Sequence, residues 1–176
     1  MTGIIIHCAD TPNGRETTAA DIDLWHGQRK PPFTRMQDAC VGTGPWVGKG
    51  QHAVDLKHIG YHFVIRINGA VEVGRRLSET GAHCRGYNQK SIGICLAGTD
   101  KFTLEQWQSL KALVTGLQIK LNSLYKAELD VKGHRQLNSA KTCPGFDVPA
   151  WLENNRQPLP GHVLTLDNAQ EKARES

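Results

Sequence analysis

The chain has 176 residues, of which 39% are hydrophobic and 22% are charged. This composition is typical of one globular domain with a substantial core, and it excludes a disordered or collagen-like chain. The formal net charge of +4 is a mild excess that suits an anionic partner surface, such as nucleic acid or a bacterial envelope.

Cysteine usage and the amino-terminal sequence indicate synthesis in a reducing compartment. The five cysteines are an odd number and form no Cys-x-x-Cys pair, so a disulfide framework is not expected. The first seven residues lack a basic region, and no stretch of 18 apolar residues occurs. We therefore expect neither a secretory signal nor a transmembrane span.

Hydrophobic patterning in the first 27 residues predicts one strand followed by one helix. A continuous β-branched run at residues 4–8 is typical of a short buried strand. A helix is expected over residues 18–27, with Ile22, Leu24 and Trp25 facing the core.

The segment 27–58 is rich in proline and glycine and shows no clear periodicity. We expect a long irregular excursion there, with one helical turn near residues 36–40. Long loops inside compact domains are often functional, so a groove wall or lid and a plain surface insertion both fit this segment.

Residues 60–96 predict three further strands. Strict alternation over residues 60–67 places Tyr61 on the same face as Phe63, with His62 on the opposite face. Asn68-Gly69 is a strong hairpin signal that leads into a partner strand at residues 70–74. Residues 91–96 form another apolar strand.

The last third predicts a long helix, a short strand and a short helix. Thr103-Leu-Glu-Gln106 is a capping box, and it opens an amphipathic helix that runs to about Leu124. A strand at residues 129–131 then leads to His134, and Asp147 caps a brief helix. The strands and helices together predict an α/β fold, with a mixed sheet of about four to six strands and flanking helices.

Domain boundaries follow from the same pattern. We expect one catalytic domain over residues 1–156. Residues 157–176 are expected to form a loosely attached or disordered tail, because they contain proline and then become highly charged.

Residue types near the carboxyl end point to a metal site. His134 and Cys143 offer an imidazole and a thiol, which are the preferred ligands of zinc. His7, at the end of the first strand, is the best third donor. Two histidines and one cysteine leave the fourth position open, as in a catalytic zinc site.

Lys141 precedes Cys143 by two residues, so an extended segment would place its ammonium group near the metal. There it would stabilise an oxyanion formed during attack on a carbonyl. The plain alternative is that His134 is a loop residue, Cys143 a small buried hydrophobe and Lys141 a solvated surface residue.

Several short motifs in a fixed order add a family resemblance. They are Ile-Ile-Ile-His7-Cys8, Gly60-Tyr-His-Phe63, Gly81-Ala-His83, Gly86-Tyr-Asn88, Ser91-Ile-Gly-Ile94, Gly133-His-Arg135 and Lys141-Thr-Cys-Pro144. In this order and at this spacing, the sequence resembles the type 2 N-acetylmuramoyl-L-alanine amidases, especially the single-domain phage endolysins. The family is related to the peptidoglycan recognition proteins.

The resemblance implies hydrolysis of the amide between N-acetylmuramic acid and L-alanine, with one Zn²⁺ per chain. It implies zinc ligation by His7, His134 and Cys143, and catalytic roles for Tyr61 and Lys141. A further implication is that two residues, His83 and Asn88, line the groove that binds the glycopeptide. The long 27–58 segment departs from the expected pattern and leaves substrate preference open.

The resemblance also implies a biological setting. We expect a monomeric enzyme whose substrate is bacterial peptidoglycan, with no nucleic-acid partner. It would be made in the host cytoplasm and would reach the wall through a holin-type pore. Two other functions fit some of the residues: a non-catalytic peptidoglycan-binding module of the same fold, and a metal-free hydrolase that uses Cys143 and His134.

Overall fold

A five-stranded mixed sheet forms the centre of the computed structural model, which describes residues 2–35, 56–126 and 128–165. The strand order is β3-β2-β4-β1-β5, with β1 parallel to both neighbours and only β3 antiparallel to its partner. The predicted mixed sheet is confirmed. The strands are β1 (Gly3–Cys8), β2 (Phe63–Ile65), β3 (Val71–Val73), β4 (Ser91–Leu96) and β5 (Asp130–Gly133).

Four helices flank this sheet within the described residues: α1 (Ala19–Gly27), α2 (Leu104–Tyr125), α3 (His134–Leu137) and α4 (Val148–Glu153). Thr18 and Asp21 form a capping box on α1, and Thr103 with Gln106 forms the predicted box on α2. The Asp147 carboxylate caps α4, as expected. None of these helices is long and apolar enough to cross a membrane.

The sheet has a hydrophobic cluster on each face, and alternation along β1 decides which residue joins which. Ile4 and Ile6 pack with the buried faces of α2 and α4 in the larger cluster. A smaller cluster on the other face contains Ile22 of α1 and Val64 of β2. Because neighbouring residues of a strand point to opposite faces, His7 points to the α1 side of the sheet.

Some sequence-based expectations about orientation are wrong. Leu24 and Leu124, both predicted to face the core, are 59% and 65% exposed. Tyr61 packs with the α1-side cluster that contains Val64, and not on the face of Phe63. The reason is that β2 begins only at Phe63, so strict alternation does not extend back to residue 61.

Residues 157–165 are attached to the domain, so the predicted loose tail is wrong for this part. Val163 pairs with Phe102 in a parallel bridge, and the backbone of Phe102 bonds both His162 and Leu164. The Trp107 indole also donates to the His162 carbonyl at 3.2 Å. Residues 166–176 and the helical turn predicted at 36–40 lie outside the described residues, and the domain boundary at 156 stays a prediction.

A buried ionic cluster joins residues 34–35 to the segments around 56–60 and 74–80. The Arg35 guanidinium donates to both carboxylate oxygens of Glu79, at 2.8 and 2.6 Å. Arg75 lies 3.8 Å from the same carboxylate and donates to the carbonyls of Ile59, Thr80 and Thr34. The cluster therefore holds the backbone on both sides of Tyr61.

We predict that Glu79→Gln lowers the free energy of unfolding by about 3–5 kcal/mol, because it leaves two buried guanidinium groups without a counter-charge. Urea denaturation at neutral pH measures this change. Glu153→Gln is the matched control, since Glu153 is exposed and has no ion pair among the described residues. An equal effect of the two substitutions would contradict the structural importance of the cluster.

Candidate active site and metal centre

Strand register brings the two predicted histidine ligands together. Ile6 of β1 is paired with Gly133 of β5, and the two strands are parallel. The next residue on each strand, His7 and His134, therefore lies at the same carboxyl edge of the sheet. Their ring centroids are 4.7 Å apart. Ligand sites in parallel sheets are typically built at this edge.

Cys143 completes a three-residue cluster with these histidines. One ligand atom from each of His7, His134 and Cys143 lies within 4.8 Å of the other two. A tetrahedral zinc with bonds of about 2.0–2.3 Å sets its ligand atoms roughly 3.5 Å apart, so small side-chain movements suffice to bind one ion. The donor set of two imidazoles and one thiol also fits zinc.

Backbone hydrogen bonds hold the Cys143 side chain in position to act as a ligand. The Cys8 amide donates to the Cys143 Sγ at 3.1 Å, and the Arg135 amide donates to the Cys143 carbonyl at 2.8 Å. The Cys8 thiol and burial raise the pKa of the Cys143 thiol. A bound divalent cation reverses this direction, because a thiol that ligates a metal is deprotonated.

All seven predicted site residues line one open cavity of about 870 Å³, which also contains the three-residue cluster. This volume lies within the range of about 300–1,000 Å³ that is typical of ligand-binding pockets. The predicted residues found there are His7, Tyr61, His83, Asn88, His134, Lys141 and Cys143.

Tyr61 and Lys141 line the same cavity as the cluster. The Tyr61 ring centroid is 5.1 Å from that of His7, and burial, together with nearby thiols, raises the pKa of the phenol. Tyr61 therefore keeps its proton at neutral pH. Lys141 is exposed, and its charge, after burial, helps to lower the pKa of His134. The Lys141 ammonium therefore contributes positive charge to the surroundings of His134.

His83 and Asn88 are placed on the cavity wall by a short loop. The Asn88 Oδ1 accepts from the backbone amides of His83 and Cys84, each at 2.8 Å, so it holds the loop in shape. His83 Nδ1 lies 3.0 Å from Nε2 of His7. Burial and the neighbouring His62 lower the pKa of His83 to about 3, so its ring is neutral. Contact of either residue with glycopeptide stays a prediction.

Two histidines outside the predicted site residues, His26 and His62, support the site. His62 is fully buried, where its Nδ1 accepts from the Gly93 amide and its Nε2 donates to the Glu79 carbonyl. His26 lines the cavity, accepts from the Gly60 amide at 2.9 Å and packs near Tyr61. The sequence could have predicted the inward position of His26, because His26 follows Ile22 by four residues and so lies on the same inner face of α1.

Part of the cavity lining is aromatic and basic. Trp25 and Phe33 line it together with Arg29, whose guanidinium lies 4.8 Å from the Phe33 ring centroid. Arg85 lines the cavity as well. A wall of this kind suits a polar ligand with apolar faces and acidic groups.

Comparison with known proteins agrees with this geometry. Residues 1–146 match the family described as N-acetylmuramoyl-L-alanine amidase. The endolysin of Enterobacteria phage T3 is 34% identical over 161 residues, which cover 86% of this chain and 85% of that protein. The endolysin of Escherichia phage T7 is 32% identical over 160 residues, with the same coverage.

Solved structures show the same architecture. The N-acetylmuramoyl-L-alanine amidase LysC from Clostridium intestinale superposes with a TM-score of 0.62 at 27% identity, covering 88% of this chain and 85% of that one. The family match spans most of the chain and includes His7, Tyr61, His134 and Cys143. The chain therefore belongs to the N-acetylmuramoyl-L-alanine amidase family, and it is an enzyme that cleaves this amide bond of peptidoglycan.

Proposed function

We propose that this amidase is zinc-dependent and acts as a phage endolysin during host lysis. The observation that carries the metal requirement is the convergence of His7, His134 and Cys143 at one end of a large cavity. Three protein ligands leave one position for water or substrate, which is the arrangement of catalytic zinc sites.

A zinc ion held by these ligands would supply a Lewis acid that activates water at neutral pH and polarises a carbonyl group. Lys141 would then stabilise the negative charge that develops on the amide oxygen, because it lines the same cavity as the three candidate ligands. Its exposed stem allows it to reach across the mouth of the cavity once the polymer is bound.

Tyr61 provides a phenolic hydroxyl, and its ring lies next to that of His7. Since burial keeps this hydroxyl protonated, it donates a hydrogen bond and does not serve as a base. Its partner is either the attacking water or the leaving amine of L-alanine. The rings of His26, His62 and His83, whose pKa values are lowered mainly by desolvation, are neutral, so they can position groups without adding positive charge.

The proposed setting is a monomer made in the host cytoplasm that reaches the wall through a holin-type pore. Similarity to the T3 and T7 endolysins supports this setting. The net charge of +4 suits an anionic bacterial envelope.

Two alternative functions would use the same residues differently. A peptidoglycan-binding module needs no ligand set with an open position, and a cysteine hydrolase that uses Cys143 and His134 leaves His7 without a function. Release of new L-alanine amino groups from murein separates the first alternative from the amidase. Resistance to chelators combined with sensitivity to thiol alkylation would identify the second.

We predict that the purified chain binds about one zinc and that removing it abolishes release of L-alanine amino groups from murein. Cys143→Ser should lose zinc at the same chelator concentration that leaves the wild type loaded, because a neutral hydroxyl is a far weaker zinc ligand than a thiolate. Metal analysis and mass spectrometry of digested murein, done on the same samples, measure both effects.

Cys84→Ala is the matched control for this substitution. Cys84 is buried and borders the same cavity, but it does not belong to the ligand cluster. It should therefore keep zinc and activity. Full activity of metal-free protein would contradict the proposed mechanism.

We predict that Lys141→Ala lowers kcat by roughly 10²–10³ while zinc content is unchanged, because it removes one stabilising group from the oxyanion. Tyr61→Phe should also lower kcat with zinc retained, since the ring still packs and only the hydroxyl is lost. Lys101→Ala, at an exposed lysine outside the cavity, should leave kcat unchanged. Loss of zinc in either active-site variant would show that the residue supports the metal site instead.

A further inference from the structure

His83 contacts the candidate ligand His7, and the contact joins one ring nitrogen of each residue. The two rings lie edge to face, with centroids 5.0 Å apart, and His83 Nδ1 is 3.0 Å from His7 Nε2. A nitrogen that ligates a metal has no proton, so the single proton of a neutral ligating imidazole is on the other nitrogen. If Nε2 of His7 carries that proton, Nδ1 is the nitrogen left for the metal.

The His83 ring is held in place by two glycines. A Cβ at Gly81 would lie 2.5 Å from Cδ2 of the ring, and a Cβ at Gly93 would lie 2.6 Å from its Cγ. Any larger residue at either position would displace the ring. Gly93 is paired with Ile5 of β1, so the ring rests directly on the sheet next to the strand that carries His7.

The polar contacts of the ring also point to His7. Nε2 of His83 is buried and has no hydrogen-bond partner among the described residues. A buried donor without a partner costs about 1–3 kcal/mol, so the ring is not placed here to satisfy its own hydrogen bonds. The hydrogen bond of the ring to another side chain is the one to His7, and Asn88 fixes the loop that presents it.

We propose that His83 is a positioning residue for the metal: its Nδ1 accepts the Nε2–H of His7 and fixes the tautomer and ring orientation in which His7 presents Nδ1 to zinc. This inference rests on the proposed zinc site. It gives His83 a role different from the groove contact that the sequence resemblance implies, because the nitrogen that faces the cavity residues is already engaged by His7.

The first test compares two substitutions at His83 by their zinc dissociation constants, measured by chelator competition on the full chain. His83→Ala should weaken zinc binding by about 10- to 100-fold, the usual effect of losing an outer hydrogen-bond partner of a ligand. His83→Asn should retain most of the affinity, because its side-chain oxygen replaces Nδ1 as the acceptor. His162→Ala, at a histidine outside the cavity, is the control and should bind zinc as the wild type does.

The second test does not depend on any variant. In zinc-loaded wild-type protein labelled with 15N-histidine, NMR should show His7 bound through Nδ1, with a slowly exchanging proton on Nε2. Ligation of His7 through Nε2 would overturn the proposal. Equal loss of zinc affinity in H83A and H83N would also overturn it, as would a raised KM with unchanged zinc affinity.

A wild-type chain that binds no zinc would have a different meaning. It would contradict the metal site itself, on which the role of His83 rests, and not only the hydrogen bond between the two histidines.

Discussion

The side-by-side arrangement of β1 and β5 is the constraint on which the site depends. Ile6 is paired with Gly133, so His7 and His134 leave the parallel strands at the same level, although 126 positions separate them in the sequence. A slip of one residue in this register would turn one imidazole to the opposite face of the sheet. The buried β-branched run at the start of the chain therefore positions a residue of the candidate metal centre as well as contributing to the core.

The rest of the site is arranged around this pair in layers. Hydrogen bonds from the backbone amides of Cys8 and Arg135 hold Cys143 at the cluster. Tyr61 and Lys141 line the same cavity. The neutral rings of His62 and His83 pack close to Gly93 of β4 and to Gly81. The neutral rings near the cluster and the basic and aromatic residues of the cavity lining are consistent with the proposed zinc site and with a peptidoglycan substrate.

The sequence predicted the residues of the site better than their orientation. The capping box of α2 and the strand at residues 91–96 follow from local rules, and the structure has both at the predicted positions. Tyr61 was assigned to the wrong face, because a period of two was extended beyond the start of β2. Leu124 continued a helical stripe beyond the part of α2 that packs on the sheet, where Leu121 is the last buried position of the stripe.

The roles of His62, His83 and Arg75 were out of reach for a different reason. His62 and Arg75 are buried against backbone groups, and His83 contacts the ring of His7. These partners are distant in sequence, and nothing in the local pattern distinguishes such residues from solvated ones. For His83, the family resemblance indicated importance but not the contact. The 3.0 Å distance between His83 Nδ1 and His7 Nε2 shows that its ring lies beside His7.

X-ray absorption at the zinc edge of the purified enzyme tests the central claim most directly. The account predicts a four-coordinate ion with two nitrogen neighbours at about 2.0–2.1 Å, one sulfur at about 2.3 Å and one further light atom. A spectrum without a sulfur neighbour, or with two, would contradict the assignment of His7, His134 and Cys143 as the ligands.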